Sequence, residues 1–275
     1  IINADSMQIY KEISILTSRP KKSHINLTKH HLYGVKSVKQ NFSVGDWLNI
    51  VIGKIENIQK KSHIPIIVGG TGLYFKALTE GLVKIPKIST KIRKEVRDLH
   101  SKIGQKQFYQ KLINLDSLSK KFIKQTDTQR SMRAYEVKKC TGKSLFSFIK
   151  KTKSNFDSKT FIKLFINTPK EILHKKINHR VEKMFEENVV EEVKFFINLN
   201  LEKDLSSNKI IGISEIKDYI EGEQSLVKTK ELIKLKTRQY AKRQFTWSRG
   251  NMRSWEMIYS PNFDDLYKKA INKIV

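Results

Sequence analysis

The run Ile64-Pro65-Ile66-Ile67-Val68 closes on Gly69-Gly70-Thr71-Gly72, and a helix-spaced apolar stretch, Leu73 to Leu82, follows at once. A short apolar run ended by glycines reads as a strand buried on both faces, the burial a parallel sheet demands. The same order occurs upstream. Ile1 to Ala4 reads as a short buried strand, and residues 42–61 read as a helix with Ser43 and Asp46 in capping-box spacing. That helix carries Trp47, Ile50, Val51, Ile55 and Ile58 on one stripe. Strand, helix, strand, helix predicts an α/β fold, a parallel sheet with helices on its faces, and ligands at the carboxyl ends of its strands. Asp5 and Thr71 fall at two such ends.

The rest of the chain reads as mostly helical. Residues 90–150 hold basic amphipathic segments, among them DTQRSMRAYEVKKCTGKS, in which Gly142 marks a helix stop. Residues 160–168, TFIKLFINT, read as a strand returning to the sheet. A helical segment over 171–199 then lines up Ile177, Val181, Met184, Phe185, Val189, Val193 and Phe196, and a last long helix covers 230–250. The basic insertion suggests a core of residues 1–90 and 158–275 and a helical insertion domain over 91–157.

Charge narrows the partners. Lys and Arg number 54 against 27 acidic residues, a net charge of +27 in 275 residues, which makes a polyanion the expected partner. A chain rich in Lys, Ile and Asn also gains lysine by composition alone, so the positions of arginine carry more information. No basic amphipathic helix is flanked by exposed aromatics, which places nucleic acid ahead of a membrane surface. No apolar run has membrane-spanning length and no signal peptide is present, so the expected location is the cytoplasm. The single cysteine, Cys140, excludes an internal disulfide and a cysteine-cluster zinc site, and reads as a small buried hydrophobe.

Individual residues leave alternatives open. A carboxylate such as Asp5 after a strand either caps the next turn or binds metal or a proton. Gly69 and Gly70 either solve a packing problem or let the backbone approach a ligand, with the following helix N-terminus favouring an anion. Lys234, Arg238 and Lys242 recur every four residues, as do Gln239 and Arg243, with few acidic neighbours at that spacing; this points to phosphate contact over a merely solvated face. Gln129, Arg130 and Arg133 share a helix and could hold an RNA backbone or base edge. The pair His30-His31 lacks further ligands at metal spacing and reads as structural.

The order of the segments NADSMQIY, TSRP, KHHLYGV, IPIIVGGTGLYFKAL, DTQRSMRAYEV, RVEKMFEENVVEEV, IIGISEI and TRQYAKRQFTWSRG resembles the tRNA dimethylallyltransferase family over almost the whole chain. The resemblance implies transfer of a dimethylallyl group from dimethylallyl diphosphate to N6 of the adenosine 3′ of the anticodon, position 37, giving N6-isopentenyladenosine. It implies that Asp5 is the general base and that Asp5, Ser6, Met7 and Gln8 touch the tRNA. It carries tRNA contact onto Thr71, Arg93, Gln129, Arg130, Ser131, Met132 and Arg133, and onto Lys209, Gly212, Lys242, Arg243 and Gln244. Its partners would be the tRNA anticodon stem-loop and dimethylallyl diphosphate, with Mg²⁺ as cofactor and a monomer as the default state.

The pattern also departs from the family's. Leu16 and Ser18-Arg19 interrupt a stretch resembling GTAKP, Thr128 replaces a proline, and Gly34 stands where Asp is frequent. Family members open with a strand and a P-loop before the NADS strand, and no G-x-x-x-x-G-K-[ST] occurs here; TGKS at 141–144 has only the motif's tail and follows a helix. The resemblance thus implies a P-loop-NTPase-like α/β fold, N-terminally incomplete, with its first strand and P-loop missing. Thr17, Arg180 and Arg238 then stand as candidates for the diphosphate, and no metal ligand is assigned. Two competing readings are a tRNA-binding remnant without catalysis and a prenyltransferase acting on free adenine nucleotide. Retained Asp5 and Thr71 argue against the first, and the charge with the QRSMR helix against the second.

Overall fold

The computed structural model describes residues 1–149, 152–202 and 204–274. It divides into two compact units, Ile1–Thr79 with Phe156–Val275, and Glu80–Asn155. In the first, β1 (Ile2–Asn3) pairs in parallel with β2 (Ile67–Val68), Ile2 opposite Ile67 and Asn3 opposite Val68. The crossover between them holds α1 (Lys22–Leu27) and α2 (Val44–Gln59), and α3 (Gly72–Glu80) follows β2. The expected capping box opens α2: Ser43 Oγ accepts from the Asp46 N–H, and the Asp46 carboxylate accepts from the Ser43 N–H at 2.9 Å. Trp47, fully buried, donates its indole N–H to the Asn3 carbonyl at 2.8 Å and stacks on Tyr74 at 4.5 Å. That one side chain ties α2 and α3 to β1, and truncating such a tryptophan costs about 3–5 kcal/mol.

β2 is not buried on both faces. Val68 and, just before the strand, Ile64 and Ile66 are exposed, and among the described residues β1 is the strand that β2 pairs with.

The second unit is helical. α4 (Thr90–Leu115) is broken at Gly104, where φ is +74°; α5 (Thr128–Thr141) and α6 (Leu145–Ile149) follow. Leu112, Ile123 and Ala134 form its core with Tyr109, Tyr135, Leu145 and Phe146 around them. Gly142 ends α5 in the left-handed conformation, φ +68°, as its position suggested. TGKS is therefore a helix-stop turn, with Ser144 Oγ donating to Asp116 at 2.8 Å. Cys140 is half-buried and not the fully buried hydrophobe expected, since it lies near the exposed end of α5.

Back in the first unit, β3 (Leu164–Asn167) does not rejoin β1 and β2. It pairs in parallel with β4 (Glu256–Tyr259) as a second two-stranded sheet, and β4 lies beyond the last element that the sequence suggested. The helical stretch after β3 is likewise two helices, α7 (Lys170–Glu186) and α8 (Val189–Asn198), split at Asn188 with φ +63°. Each keeps its share of the apolar face: Ile177, Val181 and Met184 on α7, Val189, Val193 and Phe196 on α8, all buried. Asn is among the few residues that adopt the left-handed region readily, so the face is continued through a turn. Then come α9 (Ile213–Ile220), the long α10 (Leu226–Asn251), β4, and α11 (Phe263–Ile271). No helix among the described residues is long and apolar enough to cross a membrane.

Candidate active site around Asp5

The turn after β1 is built by Asn3. Fully buried, it donates Nδ2 to the Asp5 and Leu32 carbonyls at 2.9 and 3.0 Å, while its Oδ1 accepts the Asp5 N–H at 2.8 Å. Asp5 then caps the next residues: Oδ1 accepts the N–H of Met7 at 2.8 Å and of Gln8 at 3.4 Å. Oδ2 accepts nothing from the described residues and lies beside Gly70, 3.6 Å from where a Cβ would stand. The capping reading therefore holds for one oxygen of this carboxylate, and the other carries no hydrogen bond from the described residues. Thr71 locks the neighbouring turn, its Oγ1 accepting the Ser6 N–H at 2.9 Å and donating to Ser6 Oγ at 3.2 Å, while its N–H donates to the Ala4 carbonyl.

The glycines between β2 and α3 face their own chain. A Cβ at Gly69 would meet the Ala4 carbonyl carbon at 2.2 Å, one at Gly70 the Gln244 Nε2 at 2.3 Å, and one at Gly72 the Trp247 ring at 2.2 Å. A packing need accounts for these glycines, because Ala4, Gln244 and Trp247 fill the space a side chain would take. Gln244 also donates Nε2 to the Gly70 carbonyl at 2.9 Å.

Aromatic and basic groups feel the charge of the carboxylate. Tyr240 titrates above the ordinary tyrosine value, through burial first and the Asp5 charge second, against opposing effects of Arg243 and Gln244. Tyr33 is raised by burial and then by Asp5, and Tyr74 by burial, Tyr10, Asp5 and Asp46. These three rings stay phenols at neutral pH and do not compete as bases. Burial lowers the Arg180 guanidinium pKa and the Asp5 charge opposes that; its Nη2 donates to the Leu16 carbonyl at 3.1 Å. None of the three tyrosines stood out in the sequence, although Tyr240 lies one helical turn before Gln244 on α10.

Asp5, Ser6, Met7, Gln8, Thr71, Arg180 and Gln244 are brought together in one unit. Gln8 donates Nε2 to the Thr17 and Ser18 carbonyls at 2.9 and 3.0 Å. Thr17 is buried and spends its hydroxyl on the Ile13 carbonyl at 2.7 Å, and Arg238 Nη1 donates to Asn178 at 3.3 Å. Lys209, Lys242 and Arg243 are exposed, Arg243 with its guanidinium 5.6 Å from the Tyr240 ring. Gly212 starts α9 at φ +106°, a conformation glycine adopts freely, with its N–H on Glu215 at 2.8 Å. The α10 cations are less bare than their spacing implied: Lys234 is paired with Glu182 of α7 at 2.7 Å and with Glu231 at 2.8 Å. His30 is structural, its Nδ1 2.8 Å from the Thr28 carbonyl oxygen.

Arg93, Gln129, Arg130, Ser131, Met132 and Arg133 belong to the other unit. Arg93, Gln129 and Arg130 are exposed, and Arg130 lies 3.5 Å from Asp127. Arg133 pairs with the buried Glu136 at 3.2 Å. Ser131 is fully buried, donating to the Asp127 carbonyl at 2.6 Å, and Met132 is half-buried. Among the described residues the acidic trio close enough to share a cation is Asp218, Glu221 and Glu223, which does not include Asp5.

Residues 8–251 match the family described as IPP transferase. The chain is 51% identical over 269 residues to a tRNA dimethylallyltransferase of Pelagibacter ubique, spanning 98% of this chain and 86% of that protein. A tRNA dimethylallyltransferase of Rickettsia felis is 41% identical over 248 residues, 90% of this chain and 80% of the relative. The solved tRNA isopentenylpyrophosphate transferase of Bacillus halodurans superposes with a TM-score of 0.68 at 28% identity, covering 99% of this chain and 86% of its own. A eukaryotic dimethylallyltransferase acting on tRNA shares the fold at a TM-score of 0.81 and 23% identity, over 98% of this chain and 70% of its own. With the family match running from Gln8 to Asn251 and half of all residues shared with a relative of nearly equal extent, the chain belongs to the IPP transferase family.

Proposed function

We propose that this protein transfers a dimethylallyl group from dimethylallyl diphosphate to N6 of adenosine 37, next to the tRNA anticodon. The observation that carries the reading is Asp5: one carboxylate oxygen fixed by backbone N–H groups at the end of β1, the other available. An exocyclic adenine amine is a poor nucleophile because its lone pair is delocalised into the ring. As N6 attacks C1 of the dimethylallyl group, the C–N bond forms, the C–O bond to diphosphate breaks, and the amine must lose a proton. A positioned carboxylate accepts it. Tyr33, Tyr74 and Tyr240, held as phenols, leave Asp5 as the base.

The remaining residues divide by charge and exposure. Arg180 is the diphosphate candidate that shares an electrostatic environment with Asp5, whereas the Thr17 hydroxyl is taken by Ile13 and Arg238 contacts Asn178. Ser6, Met7, Gln8, Thr71 and Gln244 would seat the target base. Arg93, Gln129, Arg130, Arg133, Lys209, Lys242 and Arg243 would take phosphates or bases of the anticodon stem-loop, where unpaired bases can be splayed and read. Ser131 and Met132 would act by shaping α5, and Gly212 by starting α9. Around Asp5 the donors are one free carboxylate oxygen and the Ser6 and Thr71 hydroxyls. Mg²⁺ commonly takes one or two carboxylates plus substrate phosphates, so this set suits an ion that arrives with the diphosphate and neutralises it. A monomer working in the cytoplasm, where its tRNA is made accessible, completes the proposal.

The test is transfer from labelled dimethylallyl diphosphate by the complete gene product. Label in unmodified tRNA, and none when guanosine replaces adenosine 37, is the expected result. Label in adenosine monophosphate would favour the nucleotide prenyltransferase, and tRNA binding without transfer would favour the non-catalytic remnant.

A further inference from the structure

Three consecutive backbone N–H groups, those of Ser14, Ile15 and Leu16, converge on a single carboxylate, Glu192 of α8, which lies more than 170 residues away in sequence. Oε1 accepts from Ser14 and, at 2.8 Å, from Ile15; it also accepts the Ser14 hydroxyl at 3.0 Å. Oε2 accepts the Leu16 N–H at 2.9 Å. Successive N–H groups turned inward in this way make a concave anion site, and here a side chain of the same protein fills it. Arg19 lies in the same electrostatic neighbourhood, its positive charge opposed to the carboxylates of both Glu192 and Glu12.

The next carbonyls of this loop are those that hold the active-site residues. Leu16 accepts from Arg180, and Thr17 and Ser18 accept from Gln8. Gln8 in turn donates its own N–H to Asp5. We propose that Glu192 is a positioning residue for prenyl transfer. By pinning residues 14–16 it fixes the carbonyls that hold the Gln8 side chain and the Arg180 guanidinium, the first of which belongs to a residue bonded to Asp5 and the second of which feels the Asp5 charge. The inference rests on the transferase reading above. It needs a carboxylate and not merely a polar side chain: four donors meet two acceptor oxygens, and charge-assisted hydrogen bonds are about twice as strong as neutral ones. Glutamine would turn an NH2 group towards at least one of those donors.

The experiment uses the complete protein, Glu192→Gln and Gln8→Ala, singly and combined, assayed well below each melting temperature. Glu192→Gln is expected to lower kcat about tenfold while tRNA affinity stays within about twofold, a geometric and not a binding defect. Because the two residues act through one loop, the double variant is expected to be no slower than the slower single one. Wild-type kcat in Glu192→Gln, or multiplicative losses in the double variant, would overturn the inference. So would fast hydrogen exchange at the Ser14, Ile15 and Leu16 amides of the unaltered protein, a measurement that requires no variant to fold. A wild-type protein with no transfer activity would instead count against the transferase reading, and the exchange result would still stand for or against the pinned loop.

Discussion

Gln244 and Gly70 are matched in space: the glutamine amide donates to the Gly70 carbonyl at 2.9 Å and occupies the volume that a Cβ at position 70 would need. Through this contact α10 holds the β2–α3 turn beside the free oxygen of Asp5. Gly70→Ala should therefore force Gln244 away, with a loss of about 1 kcal/mol in stability, the low end of the range for overpacking because the displaced atom is a side-chain tip. Gln244 is flexible at its tip, so Gly70→Ala combined with Gln244→Ala should recover part of that loss. Thermal melts of the two variants measure it directly.

Arg130 is the cleaner probe of RNA contact on α5. Its guanidinium is largely exposed and 3.5 Å from Asp127, whereas removing Arg133 would also strand the buried Glu136. Arg130→Ala should weaken tRNA binding and reduce the slope of log affinity against log salt by about one, with the melting temperature unchanged. Titrations at several salt concentrations give both quantities.

Glu215 sets an acid limit on stability. Its carboxylate is 3% exposed, accepts from Gly212 and Ser214, and is paired with Lys236. Burial alone would raise its pKa; the Lys236 and backbone hydrogen bonds outweigh that and hold it below the ordinary value of 4.5. A folded pKa below the unfolded one means that the stabilisation is complete above about pH 4.5 and is lost as pH falls through the folded value. Glu215→Gln should thus be less stable than the unaltered protein at neutral pH, with the gap narrowing as pH falls below 4.5. Melting temperatures across that range decide it.

What the chain discloses in advance follows from the range of each interaction. The Ser43–Asp46 cap and the Gly142 stop depend on residues within one helical turn, and both are legible. So are Asp5 and Thr71 at strand ends, since each strand is a contiguous apolar run. The break at Asn188 is hidden because the apolar spacing continues across it, and β4 because its partner, β3, lies roughly ninety residues upstream. Lys234 has Glu231 one turn away on its own helix, but that Glu182 also reaches it from α7 is not visible in the sequence. The glycines of the β2–α3 turn could be seen to need a close approach, but not that Ala4, Gln244 and Trp247 supply it. Glu192 is the extreme case, a helical carboxylate whose partners are backbone groups that no side-chain pattern marks.

The central claim is that Asp5 takes the proton from N6 of the target adenosine. Asp5→Asn keeps an oxygen for the Met7 and Gln8 N–H groups and removes the base, so it separates the two roles of this side chain. Single-turnover transfer to unmodified tRNA should fall by about 10²–10⁴-fold, the range for general-base catalysis, with tRNA affinity nearly unchanged. Transfer at the wild-type rate, or an equal loss of transfer and affinity, would contradict the account.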